Sequence, residues 1–209
     1  MLELVNYIVA RQMPLPPLQA QMYEYVMAAN GVFVRGRREG LDALIPVLAP
    51  GGTETIRGLA TVEPFVQLHY PRVSGVTVYQ MLLEAWLAGS FTPVPLEILF
   101  HLVWEQTHWK LVTPQQIQTA MSVRPDEDAP SYRNALIEVH SHHGMGTHFS
   151  GTDNAEESGF RLYVILGRIF SQPTLRVRVG IYGRRWEIPA RWIFNLPLGI
   201  ADAFYAETR

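Results

Sequence analysis

Four of the seven histidines fall within nine residues, between His140 and His148. His140 and His142 end an apolar run of strand length, and side chains two residues apart on a strand point to the same side of the sheet. Two imidazoles on one side can bind a single metal ion. Asp153 follows a glycine-rich loop that can bring its carboxylate to the same ion. Two histidines and one carboxylate leave a fourth tetrahedral position open, which is typical of catalytic rather than structural zinc sites.

An α+β fold is predicted around these histidines. Residues 78–88 have the apolar spacing of an amphipathic helix. Strands are predicted at 98–104, 109–112 and 135–140, and closing antiparallel strands at 162–166, 175–182 and 186–188. Residues 115–121 fit either a helical turn or a strand edge, and residues 124–131 fit a polar loop. The histidine pair therefore lies at the end of a strand within a mixed or antiparallel sheet.

The N-terminal third is predicted to be rich in β-structure. Residues 2–10 fit a short strand, and 23–29 with 32–34 fit a hairpin in which Asn30-Gly31 supplies the two positive φ angles of a type I′ turn. Three arginines follow, and we interpret them as part of a solvated loop rather than as a basic patch: Arg35, Arg37 and Arg38. Residues 41–48 form an apolar run that ends at the turn signal Pro50-Gly51-Gly52, and residues 59–68 contain another strand.

Composition excludes several classes of protein. The 209 residues are 48% apolar, enough for one substantial core or a core with an appendage. Lys and Arg number 17 against 19 acidic residues, so no basic excess indicates a nucleic-acid partner. The absence of cysteine excludes disulfides, thiolate metal ligands and a cysteine nucleophile. With no apolar window of membrane-spanning length and no signal-peptide pattern, we expect no membrane partner and a cytoplasmic location.

The full spacing around the histidines resembles a known signature. It runs His140-Ser141-His142, seven residues, Ser150, two residues and Asp153. This resembles the JAMM (JAB1/MPN/Mov34) metalloprotease family at every signature position. The resemblance implies that His140, His142 and Asp153 hold Zn²⁺, and that Ser150 donates a hydrogen bond to the oxyanion of the reaction.

The same resemblance divides the chain. It implies a JAMM/MPN-type mixed β-sheet flanked by helices, the metalloprotease-like domain, over residues 76–209. Residues 1–75 are then an N-terminal β-rich extension of unknown role.

The family also carries a glutamate just after its first helix, near the metal-bound water. The candidates are Glu63, Glu84, Glu97 and Glu105. Glu84 falls on the polar face of the predicted helix and Glu63 precedes the helix. Glu97 opens the strand directly after it, so we assign Glu97 as the group that takes the water's proton. Glu138, two residues before His140, is a separate rival that either supports the ligands or faces solvent.

Other residues near the motif are expected to be structural. The family often has proline after the second metal histidine, and His143 at this position is interpreted as a loop residue rather than a supporting or substrate-contacting group. His148 is expected to face solvent and Phe149 to anchor the loop. The more distant histidines are interpreted as structural: His69, His101 and His108. Arg176 and Arg178 share a strand face. We expect this face to be solvated rather than to attract an acidic partner.

The stretches 137–143, 149–153, 161–167 and 176–183 look most like a bacterial branch called PRTRC-system protein A. That branch is encoded beside a ubiquitin-like protein and a ubiquitin-activating-type enzyme. The resemblance implies a zinc isopeptidase or peptidase acting at the C-terminal tail of a ubiquitin-like protein. The alternatives are a catalytically silent scaffold of the same fold and a binding module that opens when a partner docks. A barrel-type metal hydrolase would carry its His-X-His on an early strand of a much longer chain.

Overall fold

The computed structural model describes residues 3–48, 55–91, 93–126 and 128–206, and most of its strands form two sheets. The first, here called the N-terminal sheet, has five strands in chain order: β1 (Val5–Val9), β2 (Tyr23–Ala28), β3 (Gly31–Arg38), β4 (Leu41–Leu48) and β5 (Phe65–Leu68). β1 runs parallel to β2, and each later pair is antiparallel. The N-terminal third is therefore built largely from one sheet.

The second sheet, here called the central sheet, has seven strands. They are β6 (Leu99–Glu105), β7 (His108–Val112), β10 (Ile137–His142), β11 (Phe160–Gly167), β12 (Thr174–Ile181), β13 (Arg184–Ile188) and β14 (Ala201–Asp202). Its order is β13-β12-β11-β10-β6-β7, with β14 beside β12. A separate small hairpin is formed by β8 (Gln116–Gln118) and β9 (Val123–Pro125). The α+β class is confirmed.

Helix α1 (Gly75–Ser90) is the one long helix of the described residues. It begins at Ser74, whose Oγ accepts a hydrogen bond from the amide of Thr77, as N-cap residues do. Its inner face packs on the central sheet. The short helices are α2 (Pro130–Asn134), α3 (Gly151–Glu156) and α4 (Ala203–Ala206). No helix in the described part of the chain is long and apolar enough to cross a membrane.

One hydrophobic core joins the two sheets. Val34 of the N-terminal sheet and Val177 of the central sheet both belong to it. Arg38 also donates a hydrogen bond of 2.7 Å to the carbonyl of Phe160. The N-terminal sheet therefore packs directly against the rest of the chain, while the domain boundary at residue 75 stays a prediction.

The Asn30-Gly31 turn differs from its prediction. Ala28 pairs with Gly31, so the two loop residues are Ala29 and Asn30, and only Gly31 of the Asn-Gly pair has a positive φ. The Asn30 carboxamide instead bonds to the amide and carbonyl of Val62, at 3.0 and 2.8 Å. The hairpin is confirmed, but the type I′ assignment is wrong because neither loop residue has a positive φ.

The predicted arginine loop is also wrong, because all three arginines lie on β3. Arg35 is ion-paired with the fully buried Glu24, and Arg37 with Asp42. These partners lie on neighbouring strands. An arginine-rich stretch can thus form a strand when adjacent strands supply its carboxylates.

The closing strands are only partly antiparallel. β11 pairs with β12 and β12 with β13 in antiparallel fashion, but β11 runs parallel to β10. The intervening loop and α3 form a crossover, which parallel neighbours require. Elsewhere, β5 is the strand predicted within residues 59–68, whereas β9 and α2 occupy the two ends of the predicted loop 124–131. The turn predicted at residues 50–52 lies outside the described residues.

Candidate metal centre

Strand β10 places His140 and His142 side by side. Its side chains alternate, so Val139 enters the core while both histidines point to the opposite face. The two Nε2 atoms are 3.1 Å apart, and both residues are buried. Between them, Ser141 exchanges hydrogen bonds with Ile98, its amide donating to the carbonyl and its Oγ accepting from the amide. The strand therefore places both histidines on one face, as predicted.

Helix α3 brings Asp153 to the same point. Ser150 caps the helix with an Oγ that accepts from the Asp153 amide at 3.1 Å, while the Ser150 amide donates to Asp153 Oδ2. Asp153 Oδ1 then lies 3.2 Å from His140 Nε2, and Oδ2 lies 4.0 Å from His142 Nε2. The Asp153 carboxylate therefore both accepts a hydrogen bond at the start of α3 and lies beside the two histidines.

This donor set fits a divalent ion. One ligand atom from each of His140, His142 and Asp153 lies within 4.8 Å of the others. Donors on a tetrahedron around zinc, at bond lengths of about 2.0–2.1 Å, lie about 3.3 Å apart. The distances from His140 Nε2 to its two neighbours are close to this value. Two imidazoles and a carboxylate are ligands that zinc commonly uses, so these three residues could hold it.

The protonation preferences of the ligands follow from their surroundings. Burial disfavours charge on His140, but the hydrogen bond and charge of Asp153 overcome this and raise the pKa of His140. Burial likewise opposes ionisation of Asp153, yet its bonds with His140 and Ser150 hold its pKa far below the ordinary range. Burial and the nearby His140 lower the pKa of His142. Because His142 Nδ1 lies 3.0 Å from the carbonyl of Gly146, its Nε2 remains for a metal.

Glu97 lies beside this centre. Its Oε1 is 3.9 Å from His142 Nε2, and the residue is only 1% exposed. The small hairpin fixes its backbone, since the Glu97 amide donates to Thr119 and Gln118 donates to the Glu97 carbonyl. Glu97 precedes β6, which begins at Leu99, and so does not itself open the strand as predicted.

The Glu97 carboxylate is unusual in its environment. Oε1 is buried without a hydrogen-bond partner among the described residues. Burial raises the pKa of Glu97 to about 7, opposed by the charge of His140 and assisted by those of Asp153 and Glu156. A buried acid with a pKa near neutrality beside a cluster of metal-type ligands is suited to accept and return protons.

The rival glutamates lie elsewhere. Glu84 accepts hydrogen bonds from Gln80 and Thr113, and Glu105 pairs with Lys110. Glu138 shares the face of His140 but contacts other groups: Arg161 at 3.0 Å and His101 at 3.6 Å. Glu138 therefore belongs to a buried network of charged groups beside the candidate metal centre and is not itself a ligand. The sequence pattern missed this network because its members lie on three strands.

One expectation near the motif needs correction. His143 is buried rather than a plain loop residue, because it bonds to the backbone of Ala85 and stacks on Phe170 with ring centroids 5.9 Å apart. It thereby packs the loop against α1. His142, its neighbour in sequence, faces the candidate metal centre instead. His148 is exposed, as expected.

The arginine face of β12 is not solvated. Arg176 and Arg178 are both buried, at 8% and 6% exposure. Arg178 is ion-paired with Glu157 just after α3, and its guanidinium lies 3.5 Å from the centroid of the Phe149 ring. Phe149 thus anchors the loop through this arginine. Sequence alone could not find the pair, because Glu157 and Arg178 come from segments joined only by the fold.

A mixed sheet with helices carries a cluster of two buried histidines and a partly buried aspartate at one strand end, which defines an α+β domain with a candidate metal centre. A sequence profile described as prokaryotic homologs of the JAB domain matches residues 74–185, more than half of the chain. The chain therefore belongs to the family of prokaryotic JAB domains. Among curated proteins, none matches the chain.

Proposed function

We propose that the chain is a zinc-dependent peptidase or isopeptidase that hydrolyses an amide bond at the C-terminal tail of a ubiquitin-like protein. The observation that carries the proposal is the buried Glu97 Oε1, which lacks a hydrogen-bond partner among the described residues and lies 3.9 Å from His142 Nε2 in the candidate metal centre. Membership of the JAB family supports it, since that family includes metalloproteases.

Each residue of the centre has a role in this proposal. His140, His142 and Asp153 would hold the ion, which when bound would lower the pKa of a coordinated water and polarise the scissile carbonyl. Glu97 accepts the proton that the water loses and passes it to the leaving amine. The Ser150 hydroxyl donates a hydrogen bond to the oxygen that becomes negatively charged.

The substrate assignment rests on the resemblance to PRTRC-system protein A. A ubiquitin-like protein or its conjugate would be the substrate, and a ubiquitin-activating-type enzyme would be a further partner in the cytoplasm.

The test compares two glutamates. The probe is a ubiquitin-like protein carrying a fluorogenic amide at its C-terminal glycine. Glu97→Gln should lower kcat/KM by about 10²–10⁴-fold while zinc content stays near one per chain. Glu84→Gln is the matched control, because Glu84 lies on α1 away from the centre, and it should leave the rate unchanged.

Two outcomes would count against the proposal. A protein that holds no metal after dialysis against trace zinc is not a zinc hydrolase. A protein that binds zinc and the ubiquitin-like probe but releases no fluorophore is the catalytically silent scaffold. If cleavage begins only when the activating-type enzyme is added, the site is occluded until that partner docks.

A further inference from the structure

Helix α1 exposes an apolar face to solvent as well as burying one. Five large side chains on its outer side are exposed by 41–78%: Val76, Tyr79, Leu83, Trp86 and Leu87. Their spacing of three and four places them in one row, here called the outer stripe, opposite the buried Val78, Met81 and Ala85. A helix that packs on a sheet ordinarily carries polar residues on its outer side. Nothing in the described residues covers this stripe.

The apolar surface extends beyond the helix. Leu198, 96% exposed, adjoins the stripe because its carbonyl accepts a hydrogen bond of 2.8 Å from the Tyr79 hydroxyl. Phe91, just after the helix, is 78% exposed. With side-chain areas of roughly 100–250 Å², these fractions give on the order of 800 Å² of apolar surface. That exceeds the largest patch of a typical monomer and equals what each partner buries in a stable interface.

The stripe carries almost no charge. Glu84 is the one charged residue between Gly75 and Ser90. Its carboxylate accepts hydrogen bonds from Gln80 and from Thr113 outside the helix, at 3.0 and 3.1 Å. The stripe therefore offers a partner no charge to match, and a neutral apolar partner fits it best.

The stripe is also complementary to itself. Leu83 lies at the middle of the 16-residue helix. If two copies pack antiparallel about Leu83, Tyr79 of one helix faces Leu87 of the other, and Val76 faces the small Ser90. Trp86 of one helix faces Gln80 of the other and Leu83 meets its own copy, so each aromatic side chain of the stripe meets a smaller one. Such a pairing is an isologous, closed interface.

We propose that the outer stripe is the interface of a homodimer in which two α1 helices pack antiparallel across a twofold axis at Leu83. Helix α1 shares its core with Val139, whereas His140 and His142 lie on the opposite face of β10. The dimer therefore leaves both metal centres open, and it stands whether or not the chain is a hydrolase.

The first test measures mass against concentration by light scattering and analytical ultracentrifugation. The wild-type chain should reach twice its 23.7 kDa. Leu83→Asp places two carboxylates against each other at the axis and should raise the dimer Kd by about a hundredfold or more. Met121→Asp is the matched control, because Met121 is 77% exposed and lies outside the stripe. It should remain dimeric, and unchanged thermal unfolding would show that both variants fold.

The second test uses the absence of cysteine in the chain. Leu83→Cys places one thiol at the axis, so mild oxidation should give a covalent dimer far faster than Met121→Cys does. Tyr79→Cys combined with Leu87→Cys should also cross-link, whereas either alone should not. A wild-type chain that stays monomeric, or a dimer that ignores Leu83→Asp and Leu83→Cys, overturns the proposal and leaves the stripe to a different protein.

Discussion

Glu24 and Glu97 are both buried carboxylates, at 0% and 1% exposure, yet their surroundings are opposite. Glu24 receives hydrogen bonds from Arg35, the Gln19 amide and the Ala20 amide. Burial disfavours its charge, but these bonds overcome that and lower the pKa of Glu24. Glu97 has an Oε1 without a partner among the described residues, and burial raises its pKa to about 7.

The difference separates a structural carboxylate from a candidate catalytic one. Glu24 ties the segment before β2 to β3, and its charge is satisfied within the protein. Buried polar atoms normally find partners, so an oxygen left without one beside convergent ligands indicates a site arranged for something else. The two glutamates should therefore respond oppositely to mutation.

Removing Glu24 should have the largest effect on stability. Glu24→Ala leaves Arg35 and two backbone amides without their acceptor, so the free energy of unfolding should fall by about 3–5 kcal/mol. Chemical denaturation measures it. Glu24→Gln is the milder control, because an amide oxygen still accepts from the backbone. Equal, small losses in both variants would mean that the charge of Glu24 contributes little.

Metal binding should stabilise only a protein with all three ligands. Zinc at a hundredfold excess over its Kd should add about 2.7 kcal/mol to the free energy of unfolding of the wild-type chain. His140→Ala should lose this increment, whereas Glu24→Gln should keep it. Chelator-treated protein provides the baseline for each. If His140→Ala were stabilised as much as wild type, the ion would be bound elsewhere.

Glu97→Gln should stabilise the metal-free protein at high pH. The folded-state pKa of Glu97, about 7, lies above its unfolded value of 4.5, so the folded chain keeps a proton that the unfolded chain releases. Stability from this group is full below pH 4.5 and is lost as pH rises toward 7. We expect a loss on the order of 2 kcal/mol across this range.

Unfolding at several pH values in the presence of chelator checks this effect. Glu97→Gln cannot ionise, so its stability relative to wild type should grow from pH 4.5 to 7 and reach about 2 kcal/mol at pH 8. Glu24 contributes in the opposite sense, since its lowered pKa makes its stabilisation fade only as pH falls below 4.5. Parallel pH profiles for wild type and Glu97→Gln would contradict the raised pKa.

Local patterns predicted the parts of the molecule that depend on local sequence. The two-residue period of a strand predicted that His140 and His142 share a face, and the period of α1 predicted its helix. The resemblance to the family's order of helix, glutamate and strand, rather than a local pattern, selected Glu97. The order of elements did not predict the burial of Glu97 Oε1, because this burial depends on the small hairpin and on β10 together.

The errors share a physical cause. The arginines of β3 and β12 are ion-paired rather than solvated because other elements supply their carboxylates, Glu24 on β2 and Glu157 just after α3. The parallel pairing of β10 with β11 depended on the crossover through α3, which no strand pattern reveals. Pairings between elements determine these features, and the local patterns of a single sequence do not display them.

The smallest expected effect separates two roles of Ser150. Its Oγ caps α3, so Ser150→Ala should lower stability by about 0.5–1 kcal/mol and weaken the hold on Asp153. Ser150→Asn retains a capping oxygen but has no hydroxyl, so its stability and zinc affinity should match wild type. If Ser150 also donates to the oxyanion, hydrolysis by Ser150→Asn should fall about a hundredfold despite the intact cap. Full activity in Ser150→Asn would mean that Ser150 only caps α3. Its role would then be structural, like that of Glu24.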